Sequence, residues 1–345
     1  MAAASLQPTT RPIESARLTD SHGRVIHDLR VSITDRCNYK CVYCRTGEAG
    51  PQYPELKIEE YLLLIEQFVK LGITKVRLTG GEPLLRRGLI EMVRELARLR
   101  TLDGEPLDLA LTTNGHLLDS LAAPLKAAGL NRVTVSMDAV DEAVFERITR
   151  VPGSFKAVLA GVRAARAAGL TPLKINCVLL RGFNDDQVEG FARFAREEDV
   201  VVRFIEFMPL EEDRLWSPEI VVPLNEIVGR LNGDLQLVPM PAREASETAR
   251  RYTFADGVGE IGVIAPVSQP FCGACSRVRL TSDGKIRTCL FSQVEHDLYG
   301  RFRAGADRDE LREYVYRTVQ GKEARHHIGE PGFLKPSRSM VHIGG

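Results

Sequence analysis

The run Lys75-Val76-Arg77-Leu78-Thr79-Gly80-Gly81-Glu82-Pro83 changes character within nine residues. Lys75–Thr79 reads as a short strand, and the glycines with Pro83 read as the turn that ends it. Arg77 inside such a strand is costly unless it faces a ligand or a partner. Five similar runs occur on either side: Leu29–Thr34, Leu107–Thr112, Arg132–Met137, Leu173–Leu180 and Val200–Met208. Arg30 and Lys174 stand in two of them in the same way.

Between the runs, apolar residues recur at helical spacing, as in Tyr61/Leu64/Ile65/Phe68 and Leu89/Met92/Val93/Leu96. Ser154 and Asn184 suit helix starts; Gly72, Gly129 and Gly169 suit helix ends. Six βα units imply a parallel sheet with right-handed crossovers. The expected fold class is α/β, a partial (β/α)6 TIM-like barrel, with a doubly wound open sheet as the structural alternative. Either way, ligands gather at the carboxyl ends of the strands. The polar motifs fall there: Gly80-Gly81-Glu82-Pro83, Thr112-Thr113-Asn114-Gly115, Ser136-Met137-Asp138 and Phe207-Met208-Pro209.

After Trp216 the βα rhythm stops. Short β-like pieces appear at Tyr252–Phe254 and Ile261–Ile264, Asp283-Gly284 reads as a hairpin turn, and a helix is expected from Asp307 to about Val319. The expected organisation is a disordered leader over 1–16, a barrel over 17–216, a C-terminal α+β region over 217–331 and a tail over 332–345 ending in Gly344-Gly345. The leader has no apolar core of the kind a signal peptide needs, and no run reaches the roughly 18–20 apolar residues of a membrane span. The expectation is a cytoplasmic protein. Lys plus Arg and Asp plus Glu both number 46 in the 345 residues. Global charge therefore gives no reason to expect nucleic acid or an anionic membrane as partner, and any anion site must come from local clustering.

The seven cysteines carry the chemistry. Cys37, Cys41 and Cys44 are spaced C-x3-C-x2-C directly after the first strand; Cys272, Cys275 and Cys289 form a second triplet. Clustered thiols in such a chain point to metal binding or catalysis rather than to disulfides. Three thiolates leave a zinc site one ligand short, whereas an iron–sulfur cube held by three keeps one iron open. Cys177, in an apolar run, reads as a core residue. Arg277 and Arg279 stand on alternate positions, hence on one face of a strand, where paired guanidiniums suit a polyphosphate.

The C-x3-C-x2-C motif with Tyr43 before its third cysteine, together with Gly80-Gly81-Glu82-Pro83, resembles the cluster motif of the radical S-adenosylmethionine (SAM) superfamily. With the second triplet and the terminal Ile343-Gly344-Gly345, the chain resembles the GTP 3′,8-cyclase family, the molybdenum cofactor biosynthesis A proteins, from about residue 17 onward.

The resemblance implies two [4Fe–4S] clusters, on Cys37, Cys41 and Cys44 and on Cys272, Cys275 and Cys289. It implies SAM held by Tyr43, Gly81, Glu82, Asn114, Ser136 and Met208. It places GTP against Arg30, Arg77, Thr112 and Lys174, and against Arg277, Val278 and Arg279. Catalytic roles fall to Arg30, Arg277, Arg279, Gly344 and Gly345. The implied partners are an electron donor such as a flavodoxin or ferredoxin, cyclic pyranopterin monophosphate synthase acting on the product, and a second copy in a homodimer. Departures from the family pattern are Arg45-Thr46-Gly47 after Cys44, Ser276, and Val341 in the tail. Two rivals remain: another radical SAM enzyme with an auxiliary cluster, such as a peptide maturase, and a non-catalytic zinc-binding protein.

Overall fold

The computed structural model describes residues 17–44, 52–212 and 215–344. The expected leader, Arg45, Thr46 and Gly345 lie outside these. The six expected strands form within a residue or two of their sequence bounds: β1 Asp28–Ser32, β2 Lys75–Thr79, β3 Asp108–Thr113, β4 Arg132–Ser136, β5 Lys174–Leu179 and β6 Val201–Glu206. They pair in parallel in chain order.

Both edges of this sheet are extended by the chain after Trp216. β7 Leu237–Met240, β8 Ala249–Phe254 and β9 Glu260–Ile264 form a meander whose last strand runs parallel to β6. β10 Arg277–Leu280 runs parallel to β1, and the hairpin partner β11 Lys285–Arg287 and the two-residue β12 His296–Asp297 follow. The single curved sheet has the order β12-β11-β10-β1-β2-β3-β4-β5-β6-β9-β8-β7, an open barrel of 12 strands. Edge strand β7 carries Pro239, which an interior strand would not tolerate.

Side-chain alternation decides what the barrel encloses. Leu29, Val31, Val76, Leu78, Ile175, Val202 and Phe204 point outward and are fully or almost fully buried in one continuous core with the surrounding helices. The helix Ile58–Val69 contributes Tyr61, Leu64, Ile65 and Phe68 to it, as the periodicity requires. Cys177 is part of this core, fully buried. The inward positions are polar: Asp28 and Arg30, Lys75 and Arg77, Lys174 and Asn176, Arg203. A closed barrel normally fills its interior with layers of branched apolar residues. Here the lumen is left for something charged.

Two helix starts differ from expectation. Ser154 is the first residue of its helix rather than its cap; Gly153, at φ 71°, precedes it. Asn184 caps nothing through its side chain. Its amide instead ties β4 to β5, donating to the Asp138 and Val178 carbonyls and accepting from Leu180 N. After β4 the chain also makes two helices, Glu142–Thr149 and Ser154–Ala167, where one βα unit is expected. Gly72, Gly129 and Gly169 do follow helix ends, each with positive φ.

Candidate active site

Two cavities occupy the lumen. The upper, about 250 Å³, lies at the carboxyl ends of the strands and is lined by Cys37, Cys41 and Cys44, with Gly81, Ser136 and Met208. The lower, about 380 Å³, lies at the amino ends, with Lys75, Arg132 and Lys174 on its wall. Arg30, Arg77, Arg203 and Arg277 line both, so the two meet at mid-barrel.

The strand register concentrates positive charge there. Arg30 stands level with Arg77 on one neighbouring strand and with Arg279 on the other. Like charges at facing positions repel. Burial first, and then the neighbouring guanidiniums, press Arg30, Arg77, Arg203 and Arg279 below their ordinary range. A guanidinium keeps its proton, so this crowding is a cost that an anion would relieve. Nε of Arg30 and Nε of Arg279 are buried and have no protein hydrogen-bond partner. Lys174 feels the same field: burial, then Arg203, Arg132 and Arg77, bring its ammonium to about 7.

The first triplet is positioned by main-chain pairing with the glycine turn. Gly81 N donates to Thr34 O at 2.8 Å and Glu82 N to Arg36 O at 2.7 Å. The approach leaves no room for a side chain: a Cβ would lie 2.3 Å from Thr34 O at Gly80 and 2.3 Å from Arg36 O at Gly81. Glu82 is buried beneath this turn and accepts from Leu84 N, Thr113 Oγ1 and Asn114 N at 2.6–2.9 Å. Burial raises its carboxyl to about 7 against those bonds. Asn114 Nδ2 reaches Asn38 between the first two cysteines. Tyr43 Oη donates to Asp138 at 2.7 Å, and Val178 N holds the other carboxylate oxygen at 2.9 Å. Burial raises Asp138 to about 6.

The second triplet begins on a short 3-10 turn, Cys272–Ala274. Arg24, buried and paired with Asp20, donates to Cys272 O at 2.8 Å. Arg277 lies over the Phe271 ring at 4.8 Å and donates to Cys275 Sγ at 3.5 Å. Burial alone would raise the Cys275 thiol, but the charges of Arg277 and Lys322 bring it down to about 6. It is thus largely thiolate at neutral pH, the form a metal binds. At Cys41, burial and the neighbouring Asp138, Cys44 and Cys37 push the thiol up, so metal must displace its proton there.

All seven cysteines are free thiols. Among the described residues, no three His, Cys, Asp or Glu side chains gather closely enough to share one ion. Structural zinc needs four donors at about 2.0–2.3 Å from a single centre. A cube spreads its thiolates over separate irons. Each triplet offers three thiolates, one short of a structural zinc site and enough for a cube with one open iron.

Of the residues singled out in the sequence, Arg30, Tyr43, Arg77, Thr112, Asn114, Arg277 and Arg279 line the upper cavity with the first triplet. Lys174 lines the lower one, and Gly344 abuts the end of β2. Cys272, Cys275 and Cys289 are not on the cavity wall, but their neighbours Phe271, Arg277 and Leu290 are. Val278 faces the opposite way from its flanking arginines and packs in the core. At the departure Ser276 the backbone makes the contact, its carbonyl accepting from His27 N and Asp28 N at 3.0 Å. Sequence reasoning passes over Arg203, Lys75 and Arg24. Arg203 carries the same signal as Arg30, a cation inside an apolar strand.

Comparison with known proteins fits this geometry. Residues 31–195 match the radical SAM superfamily and residues 200–328 match Molybdenum Cofactor Synthesis C. The chain is 43% identical to the GTP 3′,8-cyclase of Moorella thermoacetica over 331 residues, 95% of this chain and 100% of that one. It is 44% identical to that of Streptomyces coelicolor over 335 residues, 95% and 96% respectively. In fold it resembles Streptococcus suis SuiB bound to S-adenosylmethionine, with a TM-score of 0.61 and 14% identity over 87% of this chain and 69% of SuiB. No helix among the described residues is long and apolar enough to cross a membrane. By identity over nearly its whole length, the chain belongs to the GTP 3′,8-cyclase family within the radical SAM superfamily.

Proposed function

We propose that the protein converts GTP to (8S)-3′,8-cyclo-7,8-dihydroguanosine 5′-triphosphate, the first step of molybdenum cofactor biosynthesis. The observation that carries this reading is the lumen itself, with a cysteine triplet at one end and buried guanidiniums at its waist, two of which leave Nε without a protein acceptor. When bound, the first cluster supplies one electron to SAM, and SAM supplies the 5′-deoxyadenosyl radical that takes the ribose 3′ hydrogen. The chain's own residues bind, orient and exclude water.

Cys37, Cys41 and Cys44 hold the first cluster. Tyr43, Gly81, Asn114, Ser136 and Met208 form the SAM side, with Asp138 fixing Tyr43 and Asn114 fixing the cysteine loop; Glu82, expected there, is buried off the cavity wall and braces the glycine turn instead. Arg30, Arg77, Lys174 and Arg203 neutralise the triphosphate, helped by Lys75 below them. Arg277 and Arg279 bind the nucleotide, and Cys272, Cys275 and Cys289 would hold a second cluster that supplies an electron. Thr112, whose Oγ1 accepts from Arg77 Nη1 at 3.2 Å, stands on the triphosphate side, and the main chain of Val278 lies between the two arginines of β10. The cyclised nucleotide passes to cyclic pyranopterin monophosphate synthase, and a flavodoxin- or ferredoxin-like donor supplies electrons.

Loss of the 3′ hydrogen and gain of one electron and one proton make the product an isomer of GTP. Anaerobic incubation with GTP, SAM and reductant should yield a nucleotide of unchanged mass but new retention, together with 5′-deoxyadenosine. Unaltered GTP beside consumed SAM would refute the substrate.

A further inference from the structure

The C-terminal segment reaches back into the mouth of the lumen. Met340 and Val341 line the upper cavity, and Met340 N donates to Leu210 O at 2.9 Å. Gly344 is pressed against the end of β2, where a Cβ on it would lie 2.7 Å from Thr79 Cγ2 and 3.2 Å from Ser32 Cβ. The helix Met340–Ile343 in this segment has four residues, too few to order themselves.

What secures the segment is a buried side chain just before that helix. Arg338 is 3% exposed. Its two Nη atoms donate to the two carboxylate oxygens of Asp283 at 2.9 Å, a bidentate pair. Nη2 also donates to Glu295 Oε2 at 2.7 Å, and Nε pairs with Glu295 Oε1 at 2.7 Å. Its guanidinium carbon stands 3.8 Å from the centre of the Tyr53 ring, whose edge meets His342 at 5.3 Å. Lys285 lies within 3.7 Å of both carboxylates, and Arg287 pairs with Glu295 at 2.7 Å, so other cations also hold these acids in place.

These partners come from three places. Asp283 is in the turn between the arginine strand β10 and the strand leading to Cys289, Glu295 lies beyond Cys289, and Tyr53 follows the first cysteine loop. Thus one guanidinium joins the tail to the surroundings of both triplets. We propose that Arg338 is a positioning residue, a latch that seats Gly344 and its neighbours in the lumen and couples SAM cleavage to cyclisation. A lysine is a poor substitute, because a point charge on a flexible stem cannot make the planar fork and stack at once. The inference rests on the cyclase reading above.

The test uses the full chain with its clusters installed, in Arg338→Lys, Arg338→Met, Asp283→Asn, and an Arg338→Met/Asp283→Asn double variant that removes both charges together. Hydrogen exchange over residues 334–344 reads the seating without turnover, and 5′-deoxyadenosine against cyclised nucleotide reads the coupling. Arg338→Met should speed exchange in the tail while β2–β5 stay protected. It should also lower cyclised product per SAM cleaved by at least about tenfold, as misplacement of a catalytic segment does. Arg338→Lys should lie between, and Asp283→Asn should loosen the tail from the other side. If Arg338→Met fails to fold, Asp283→Asn and the double variant carry the test. Wild-type tail exchange in the variants overturns the latch. So does a loosened tail with unchanged coupling. If the wild-type protein itself makes no cyclised nucleotide, the cyclase reading fails, while the exchange data still judge the seating.

Discussion

At Lys174, burial and the charges of Arg203, Arg132 and Arg77 bring the ammonium to about 7 from its ordinary 10.5. Between those values the folded, nucleotide-free protein binds fewer protons than the unfolded chain. Its stability from this group therefore rises with pH through that window and is lost as pH falls toward 7. A bound polyphosphate raises the ammonium again, so GTP binding at pH 8 should take up a proton. Calorimetry in buffers of different ionisation enthalpy reads this directly. Affinity should weaken between pH 7 and 9 by up to about tenfold per unit, the limit for one linked proton. Lys174→Met should abolish both effects, and a proton uptake that survives it would place the linkage elsewhere. At Gly81 the expected outcome is structural. Gly81→Ala drives a Cβ to 2.3 Å from Arg36 O, so the cysteine loop must shift. Iron per chain should fall while far-ultraviolet circular dichroism holds.

At this scale the sequence was a good guide where a charge interrupts an apolar strand. Arg30 and Arg77 stand out that way, and Arg203 could have been found by the same signal. Lys75 and Arg132 could not: each opens a strand, where a cation reads as a solvated end. Arg24 was equally hidden, because its partner Cys272 lies 248 residues away.

Among the elements, the two cysteine segments are held by different devices, and substitutions should separate them. Cys41→Ala should abolish 5′-deoxyadenosine formation, measured by chromatography of anaerobic reactions. Cys275→Ala should retain some SAM cleavage yet lose the cyclised nucleotide. Equal loss of both products in the two variants would remove the distinction. Periodicity located the six strands because each has one face against helices, which fixes its apolar pattern. It failed at Ser154 and Asn184 because a cap is a local geometry: Gly153 in the left-handed region took the first role, and β4–β5 bridging took the second residue for itself. The helix Leu224–Asp234 lies where the βα rhythm has already stopped, so periodicity does not single it out.

Across the whole molecule, the C-terminal third reads in sequence as an appendage but completes the sheet from both edges. Pairing of β10 with β1 joins residues about 250 positions apart, and no local pattern encodes that. This pairing brings Arg277 and Arg279 on β10 beside Arg30 at the lumen. At the waist Arg30, Arg77, Arg203, Arg277 and Arg279 crowd round the inward carboxylate of Asp28, so polyphosphate alone should stabilise the fold. Tripolyphosphate at about 100 times its dissociation constant should add about 2.7 kcal/mol. A thermal shift with tripolyphosphate that is no larger than with equal ionic strength of chloride would argue against a phosphate site in the lumen.

The reaction as a whole is tested most directly with GTP deuterated at the ribose 3′ carbon, incubated anaerobically with the reduced protein and SAM. The account predicts that 5′-deoxyadenosine gains one deuterium and that the nucleotide product loses it. Unlabelled 5′-deoxyadenosine alongside cyclised product would contradict abstraction at that carbon.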